Sequence, residues 1–158
     1  MNKEEALKKI AEEDGFFKHN NYEIVEASEN ACILKAKITK NSLNPYGIAH
    51  GGFIFGLGDT VLGMAASATG RPAVTLNSTI NYLRPAKSEY IIAKAELIKA
   101  GKTTSYLQAK IYDDQDKFFL PWNSISSELV HDTRLIISML KKKPWVYRIT
   151  KVDDTGTR

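Results

Sequence analysis

Asp59 is the only charged residue inside the long apolar segment that spans residues 52–69. An unpaired carboxylate is costly to bury in an apolar helix, so this residue needs either a partner or a chemical role. On a helix, its neighbours at three and four positions include Gly56 and Gly63, which leave room for a substrate or a second backbone. The same pattern fits an aspartate bonded to a loop amide, with glycines that serve helix–sheet packing. The pattern alone leaves these two interpretations equal.

His50-Gly51-Gly52 stands where the helix of this segment is predicted to begin. Unpaired backbone N–H groups and the positive end of the helix dipole gather at such a position. Because glycine has no side chain, a carbonyl oxygen can come close to the N–H of Gly51, which is what an oxyanion hole requires. A plain glycine turn into the helix explains the same residues, and geometry alone favours it.

Asp59 and the glycine pair are more informative together. Asp59 lies seven residues after Gly52, which places it about 10 Å along the helix from the N-terminus. A carboxylate side chain cannot cover that distance to a carbonyl held at Gly51 of the same chain. If both groups act on one bond, they come from different subunits whose helices run antiparallel. Shared chemistry therefore predicts a homodimer with two equivalent sites.

The remaining pattern predicts an α+β fold in which antiparallel hairpins flank one long, buried central helix. The predicted elements are helices over residues 3–14, with Gly15 at the end, and 52–69, and strands over residues 22–27, 31–39, 73–83, 91–100 and 103–112. In the first strand after the central helix, alternation predicts one face with Val74, Leu76, Ile80 and Tyr82, and another with Thr75, Asn77, Thr79 and Asn81. An antiparallel sheet wrapped around the central helix accounts for this order.

The loop before the helix carries a recognisable signature. Asn44, Gly47, His50, Gly51 and Gly52, followed by the helical aspartate, resemble the Asn-x-x-Gly-x-x-His-Gly-Gly…Asp signature of hotdog-fold thioesterases. The group that the sequence resembles most is the phenylacetate-degradation (PaaI-like) type, and the likeness continues through residues 74–86. The resemblance implies the hotdog fold, a long central helix wrapped by an antiparallel β-sheet, and assembly as a homodimer or a dimer of dimers.

The resemblance also implies roles for individual residues. Asp59 matches the general base or nucleophile that hydrolyses an acyl-CoA thioester, and Thr75 lies close to that carboxylate. Gly51 matches the residue whose N–H binds the thioester carbonyl, while Asn44 and His50 shape the site and orient the attacking water. The residues assigned to binding of the substrate and its coenzyme A are Gly52, Arg84, Pro85, Gly101, Lys102 and Thr103. No metal and no further cofactor is implied, and the acyl group cannot be read from the sequence.

Composition limits the protein class. The 158 residues, 43% hydrophobic and 25% charged, predict one domain that is large enough to bury a core. Since no apolar run approaches the roughly 20 residues that span a membrane, and the N-terminus lacks a secretory signal, we expect a cytoplasmic protein without a membrane partner. Cys32 is expected to be a small buried side chain, and three dispersed histidines predict no metal site.

The net charge of +4 is concentrated in the last part of the chain, around Lys141, Lys142 and Lys143. A solvated tail is the expected meaning, and we expect no nucleic-acid partner. The first predicted helix does not resemble a DNA-reading helix, since it carries Glu4, Glu5, Glu12 and Glu13. A weakly basic surface suits a polyanionic ligand such as coenzyme A.

Residues 121–158 depart from the family pattern. Pro121 interrupts a strand that begins at residue 117, and proline cannot donate a hydrogen bond to a sheet. We therefore assign the hotdog domain with its N-terminal helix to residues 1–120, and an atypical extension to residues 121–158. Apolar spacing in the extension predicts a helix over residues 126–143 and a strand over residues 145–152.

Two other functions fit a hotdog domain: a non-catalytic module that binds acyl-CoA, and a dehydratase. Simple binding needs no buried carboxylate, so Asp59 together with His50-Gly51-Gly52 favours hydrolysis. The spacing of the signature loop resembles the thioesterases better than the dehydratases.

Overall fold

The computed structural model of the chain describes residues 3–27, 32–68, 71–114 and 123–130. The helices in these ranges are α1 (Lys3–Glu13), α2 (Gly15–His19) and α3 (Gly51–Ser67), with a short 3-10 helix at Lys40–Ser42. The strands are β1 (Tyr22–Ala27), β2 (Cys32–Lys37), β3 (Val74–Tyr82), β4 (Tyr90–Ala100), β5 (Thr104–Asp113) and β6 (Asn123–Val130). Within these ranges, no helix combines the length and the apolar character needed to cross a membrane.

The six strands form one antiparallel sheet in the order β1-β2-β4-β5-β6-β3. Strand β3 follows α3 in the chain and stands at one edge of the sheet, where β6 is its only partner strand among the described residues. Helix α3 packs on one face of the sheet, and its largest fully buried side chains are Leu57, Val61 and Leu62. This arrangement confirms the predicted α+β hotdog fold.

Small side chains on the inner face of the sheet let α3 lie close to the strands. Ala93 and Ala109 are completely buried there, as are larger neighbours such as Leu34 and Ile111. Pairing puts large beside small: Leu34 and Ile111 both lie opposite Ala93, on its two sides. Alternation of this kind fills the space under a helix without voids. Cys32 is also buried, as predicted.

The N-terminal region differs from its prediction in one detail. Gly15 does not end the helical region but begins a second short helix, because Asp14 interrupts the chain in an extended conformation. The Asp14 side chain accepts hydrogen bonds from the backbone N–H groups of Phe16 and Phe17, which makes it the N-cap of α2. Helix α2 then places the Phe16 ring on α3, beside Gly56.

Strand β6 corrects the prediction for the C-terminal part of the chain. A helix is predicted from residue 126, whereas Asn123–Val130 is a strand between β5 and β3. Ile125, Ser127 and Leu129 are buried, so an alternating pattern governs these residues. The sheet thus continues past the boundary predicted at residue 120. The rest of the predicted helix and the strand over residues 145–152 lie outside the described residues.

Gly58 lies where α3 packs closely on the sheet, so a substitution there tests this packing. A Cβ at this position would lie 2.6 Å from Cγ2 of Ile125 on β6. In Gly58→Ala, overpacking is expected to lower the free energy of unfolding by about 1–3 kcal/mol. The higher helix propensity of alanine offsets about 1 kcal/mol of this loss. Gly63→Ala is the matched control, since nothing lies within 4 Å of a Cβ there. Denaturant unfolding compares the two variants, and equal stability would contradict this close packing.

Candidate active site

His50 caps the N-terminus of α3. This residue is the N-cap, and its Nδ1 accepts a hydrogen bond from the backbone N–H of Gly52 at 2.9 Å. The backbone N–H of His50 donates to the carbonyl oxygen of Ser42 at 2.7 Å. The N–H of Gly51, between these two anchored groups, has no hydrogen-bond partner in the described parts of the chain. A donor at a helix N-terminus is therefore left available, as an oxyanion hole requires.

Tyr82, which the sequence offered only as a candidate side chain of the acyl pocket, contacts the same helix end. Its hydroxyl donates a hydrogen bond to the carbonyl oxygen of Gly51 at 2.8 Å. Partial burial raises the pKa of the Tyr82 hydroxyl, so the group stays protonated and able to donate at neutral pH. Its apolar ring at the end of a strand gave no sign of this role, because the contact joins residues 31 positions apart.

Asn44 organises the loop that leads to α3. Its Oδ1 accepts hydrogen bonds from the N–H groups of Tyr46 at 2.9 Å and Ile48 at 3.3 Å. Its carbonyl oxygen accepts from Gly47, whose φ of 73° lies in the left-handed region that favours glycine. The Asn-x-x-Gly spacing of the signature is thus the spacing of a tight loop held by the asparagine side chain.

A groove of about 330 Å³ opens at this end of α3. It brings together four predicted site residues, Asn44, Gly51, Arg84 and Pro85, with Tyr82 as a further wall. Asp59 does not line it. Since Asp59 lies eight residues after Gly51, about 12 Å of helix separate the two within one chain.

Asp59 lies farther along α3 and is half-buried. Its Oδ1 accepts a hydrogen bond from the Thr75 hydroxyl at 2.9 Å, which places Thr75 beside the carboxylate, as predicted. The other carboxylate oxygen has no hydrogen-bond partner among the residues that the structure describes. Phe55, Gly63 and Ser67 share this face of the helix and are also only half-buried. The face that carries Asp59 is therefore partly open within the chain.

A β-bulge aims Thr75 at this carboxylate. Simple alternation puts Thr75 on the strand face opposite to Ile80 and Tyr82. The register of β3 against β6 shifts between Thr75 and Asn77, however, so Thr75, Ile80 and Tyr82 all face the helix side. Bulges of this kind redirect side chains at functional sites. The predicted separation of Thr75 from Tyr82 is therefore wrong.

The glycines of α3 have different roles from one another. A Cβ at Gly56 would lie 2.8 Å from the Phe16 ring, and one at Gly58 would press on Ile125. Both positions thus serve packing within the chain and not the approach of a second helix. Gly63, one turn beyond Asp59, has nothing within 4 Å and remains open.

The β4–β5 hairpin lies toward the C-terminal end of α3. Arg71 donates from Nη1 to the carbonyl oxygen of Lys102 at 2.9 Å and from Nη2 to that of Gly101 at 3.4 Å. A Cβ at Gly101 would collide with the carbonyl oxygen of Thr104, so the turn requires glycine. Lys102 and Thr103 are exposed. The sequence did not predict this contact of Arg71 either, again because it joins distant positions.

Each chain therefore carries two separate groups of predicted site residues. Residue 75 of β3 pairs with residue 129 of β6, and residue 129 also pairs with residue 105 of β5, beside the hairpin. Asp59, Thr75 and Gly101-Lys102-Thr103 therefore lie toward the same end of the sheet. Asn44, Gly51, Arg84 and Pro85 lie toward the other end, in the groove.

Comparison with known proteins places this geometry in a family. The thioesterase superfamily profile matches residues 46–119. The acyl-coenzyme A thioesterase PaaI of Escherichia coli is 30% identical over 107 residues, which are 67% of this chain and 76% of PaaI. A solved E. coli PaaI structure superposes with a TM-score of 0.76 and 25% identity, and covers 82% of this chain and 92% of its own.

A protein from Streptococcus pneumoniae that is described as a hypothetical thioesterase, solved with coenzyme A, is 31% identical with a TM-score of 0.64, over 70% of this chain and 84% of its own. Solved variants of that protein replace an aspartate and a threonine that are 16 residues apart, the same separation as between Asp59 and Thr75. The sequence matches and the superposed structures agree with one another. This chain belongs to the thioesterase superfamily and is a PaaI-like hotdog thioesterase.

Proposed function

We propose that this enzyme hydrolyses acyl-CoA thioesters to a free acid and coenzyme A, with Asp59 as the catalytic carboxylate. One observation carries the proposal: a half-buried carboxylate on a partly open helix face is held at one oxygen, and its other oxygen has no hydrogen-bond partner among the described residues. The relatives named acyl-CoA thioesterases support the substrate class.

Asp59 has two chemical routes to the product. It removes a proton from a water molecule that attacks the thioester carbonyl, or it attacks that carbon itself and forms a mixed anhydride that water then hydrolyses. Both routes need a carboxylate in one fixed orientation. The Thr75 hydroxyl supplies this by holding Oδ1, which leaves Oδ2 for the reaction.

The N–H of Gly51 stabilises the oxyanion that either route creates. The negative charge that develops on the thioester oxygen would lie next to this N–H, which has no partner within the described ranges and stands at the positive end of the α3 dipole. A donor of this kind is most effective when it is already in place before the reaction begins.

The proposed site is shared between two subunits. Thr75 and Tyr82 lie toward opposite ends of edge strand β3. An antiparallel β3–β3 pair across a twofold axis would bring Asp59 and Thr75 of one chain beside Tyr82 and Gly51 of its partner. Val74 and Leu76 on this edge strand are 39% and 43% exposed, which favours a covered edge. A homodimer, alone or as half of a tetramer, follows from this arrangement.

Arg84 and Lys102 are the proposed contacts to the phosphate groups of coenzyme A. Both cations are exposed, and one stands in the groove while the other stands on the hairpin that Arg71 holds. In the proposed dimer these two regions come from different chains and flank one site. Coenzyme A enters as part of the substrate, and the proposed chemistry uses no metal or further cofactor.

Hydrolysis of a panel of short, medium-chain and aromatic acyl-CoAs tests the proposal. Purified protein is expected to release free coenzyme A thiol from at least one class, with kcat on the order of 1–100 s⁻¹. Measurement uses a thiol reagent, and calorimetry with coenzyme A runs beside it. Binding without turnover across the panel would replace the proposal with a non-catalytic acyl-CoA-binding module.

A further inference from the structure

We propose that Tyr82 is a positioning residue for catalysis: its hydroxyl and Nδ1 of His50 together hold the Gly51–Gly52 peptide, so that the N–H of Gly51 is fixed for the thioester carbonyl. This inference rests on the proposed function and adds a residue to its machinery.

The two hydrogen bonds are made by opposite atoms of one peptide unit, the one between Gly51 and Gly52. The oxygen of this plane belongs to Gly51 and accepts from Tyr82 at 2.8 Å, while its N–H belongs to Gly52 and donates to His50 at 2.9 Å. A peptide unit is rigid, so two bonds at opposite atoms fix its orientation.

The peptide unit that carries the N–H of Gly51 is the one between His50 and Gly51, and the peptide units on both sides of it are hydrogen-bonded. On its other side, the N–H of His50 donates to the carbonyl oxygen of Ser42 at 2.7 Å. The carbonyl oxygen of the His50–Gly51 peptide accepts from the N–H groups of Phe53 at 2.9 Å and Ile54 at 3.2 Å. The flanking units therefore add to a hold at this oxygen, while the N–H of the same peptide has no partner in the described parts of the chain. No side chain needs to touch the N–H itself, which stays free for substrate.

Two consecutive glycines make such a hold necessary. Glycine has more backbone freedom than any other residue, so an unsupported Gly51-Gly52 pair would sample several orientations at the end of the helix. Misplacement of a catalytic group by about 1 Å can cost about 100-fold in rate. The Tyr82 ring also lies close to Gly51, since its Cζ is 3.3 Å from where a Cβ at this position would stand.

Tyr82→Phe tests the inference, since it removes the hydroxyl and keeps the ring. We expect kcat to fall by about 10-fold to 100-fold, with the KM for acyl-CoA and the thermal midpoint close to wild type. Tyr46→Phe is the matched control, because the Tyr46 side chain is 87% exposed and lies outside the groove. An unchanged kcat in Tyr82→Phe would overturn the inference.

A second measurement separates positioning from a general structural role. The Gly51→Pro variant has no N–H at residue 51 to position. Adding Tyr82→Phe to Gly51→Ala, which keeps this N–H, should therefore lower kcat further. Adding Tyr82→Phe to Gly51→Pro should leave kcat at the value of Gly51→Pro alone. Equal losses in both backgrounds would overturn the inference. Failure of the proposed function is distinguishable: wild type itself would then hydrolyse no acyl-CoA, and the role of Tyr82 would fall with it.

Discussion

Asp59→Asn is expected to lower kcat for acyl-CoA hydrolysis by about 1,000-fold or more, because an amide neither accepts the proton of water nor forms a mixed anhydride. Asparagine has the shape of aspartate and keeps an oxygen that can accept the Thr75 hydrogen bond. Packing around α3 should therefore be preserved. We expect the thermal midpoint and the affinity for coenzyme A to remain near those of wild type.

Asp114→Asn provides the control for loss of one negative charge, since Asp114 is exposed and lies outside both groups of site residues. Single-turnover kinetics of the two variants on the best acyl-CoA of the panel would measure the chemical step directly. Wild-type turnover in Asp59→Asn would remove this carboxylate from the mechanism and leave the family assignment intact.

The sequence predicted the order of elements well because each element has a local signal. Apolar length predicts α3, and alternation predicts β1 and β4, whose observed bounds lie within one residue of the predicted ones. Strand β6 was missed because its inner face includes the polar Ser127 and its apolar residues also fit a helical period. Its place between β5 and β3 depends on pairing with distant strands, which no local pattern contains.

The site residues show the same difference between local signals and contacts with distant positions. Asp59 and Gly51 could be proposed as site residues from local signals, a charge in an apolar helix and a glycine at a helix start, whereas Asn44 was assigned from the family resemblance. Tyr82 and Arg71 could not be proposed from local signals, since each acts through a hydrogen bond to a backbone oxygen about 30 positions away. The bulge that turns Thr75 toward α3 is likewise a property of strand pairing, and it reverses the face that alternation predicts.

Gly51→Pro isolates the proposed oxyanion donor with little damage to the helix. Proline is favoured at the first position of a helix, where its missing N–H would have no helical partner. His50 before it has φ −63° and ψ 137°, which a residue that precedes proline adopts readily. We expect kcat to fall by about 100-fold to 1,000-fold. Gly51→Ala is the control, because it adds the same Cβ beside Tyr82 and keeps the N–H.

Mixing the two defective variants then tests whether one site draws on two chains. In a hybrid dimer of Asp59→Asn and Gly51→Pro, one site combines the intact Asp59 of one chain with the intact Gly51 of the other, and the second site lacks both. Random exchange of equal amounts makes half the dimers hybrids, so activity should recover to about one quarter of the wild-type value. Native mass spectrometry of differently tagged chains measures exchange independently of turnover. If hybrids form and activity does not return, Asp59 and Gly51 of different chains do not form one site. Because roughly 12 Å separate the two within one chain, the proposal that they act on one thioester would then be wrong.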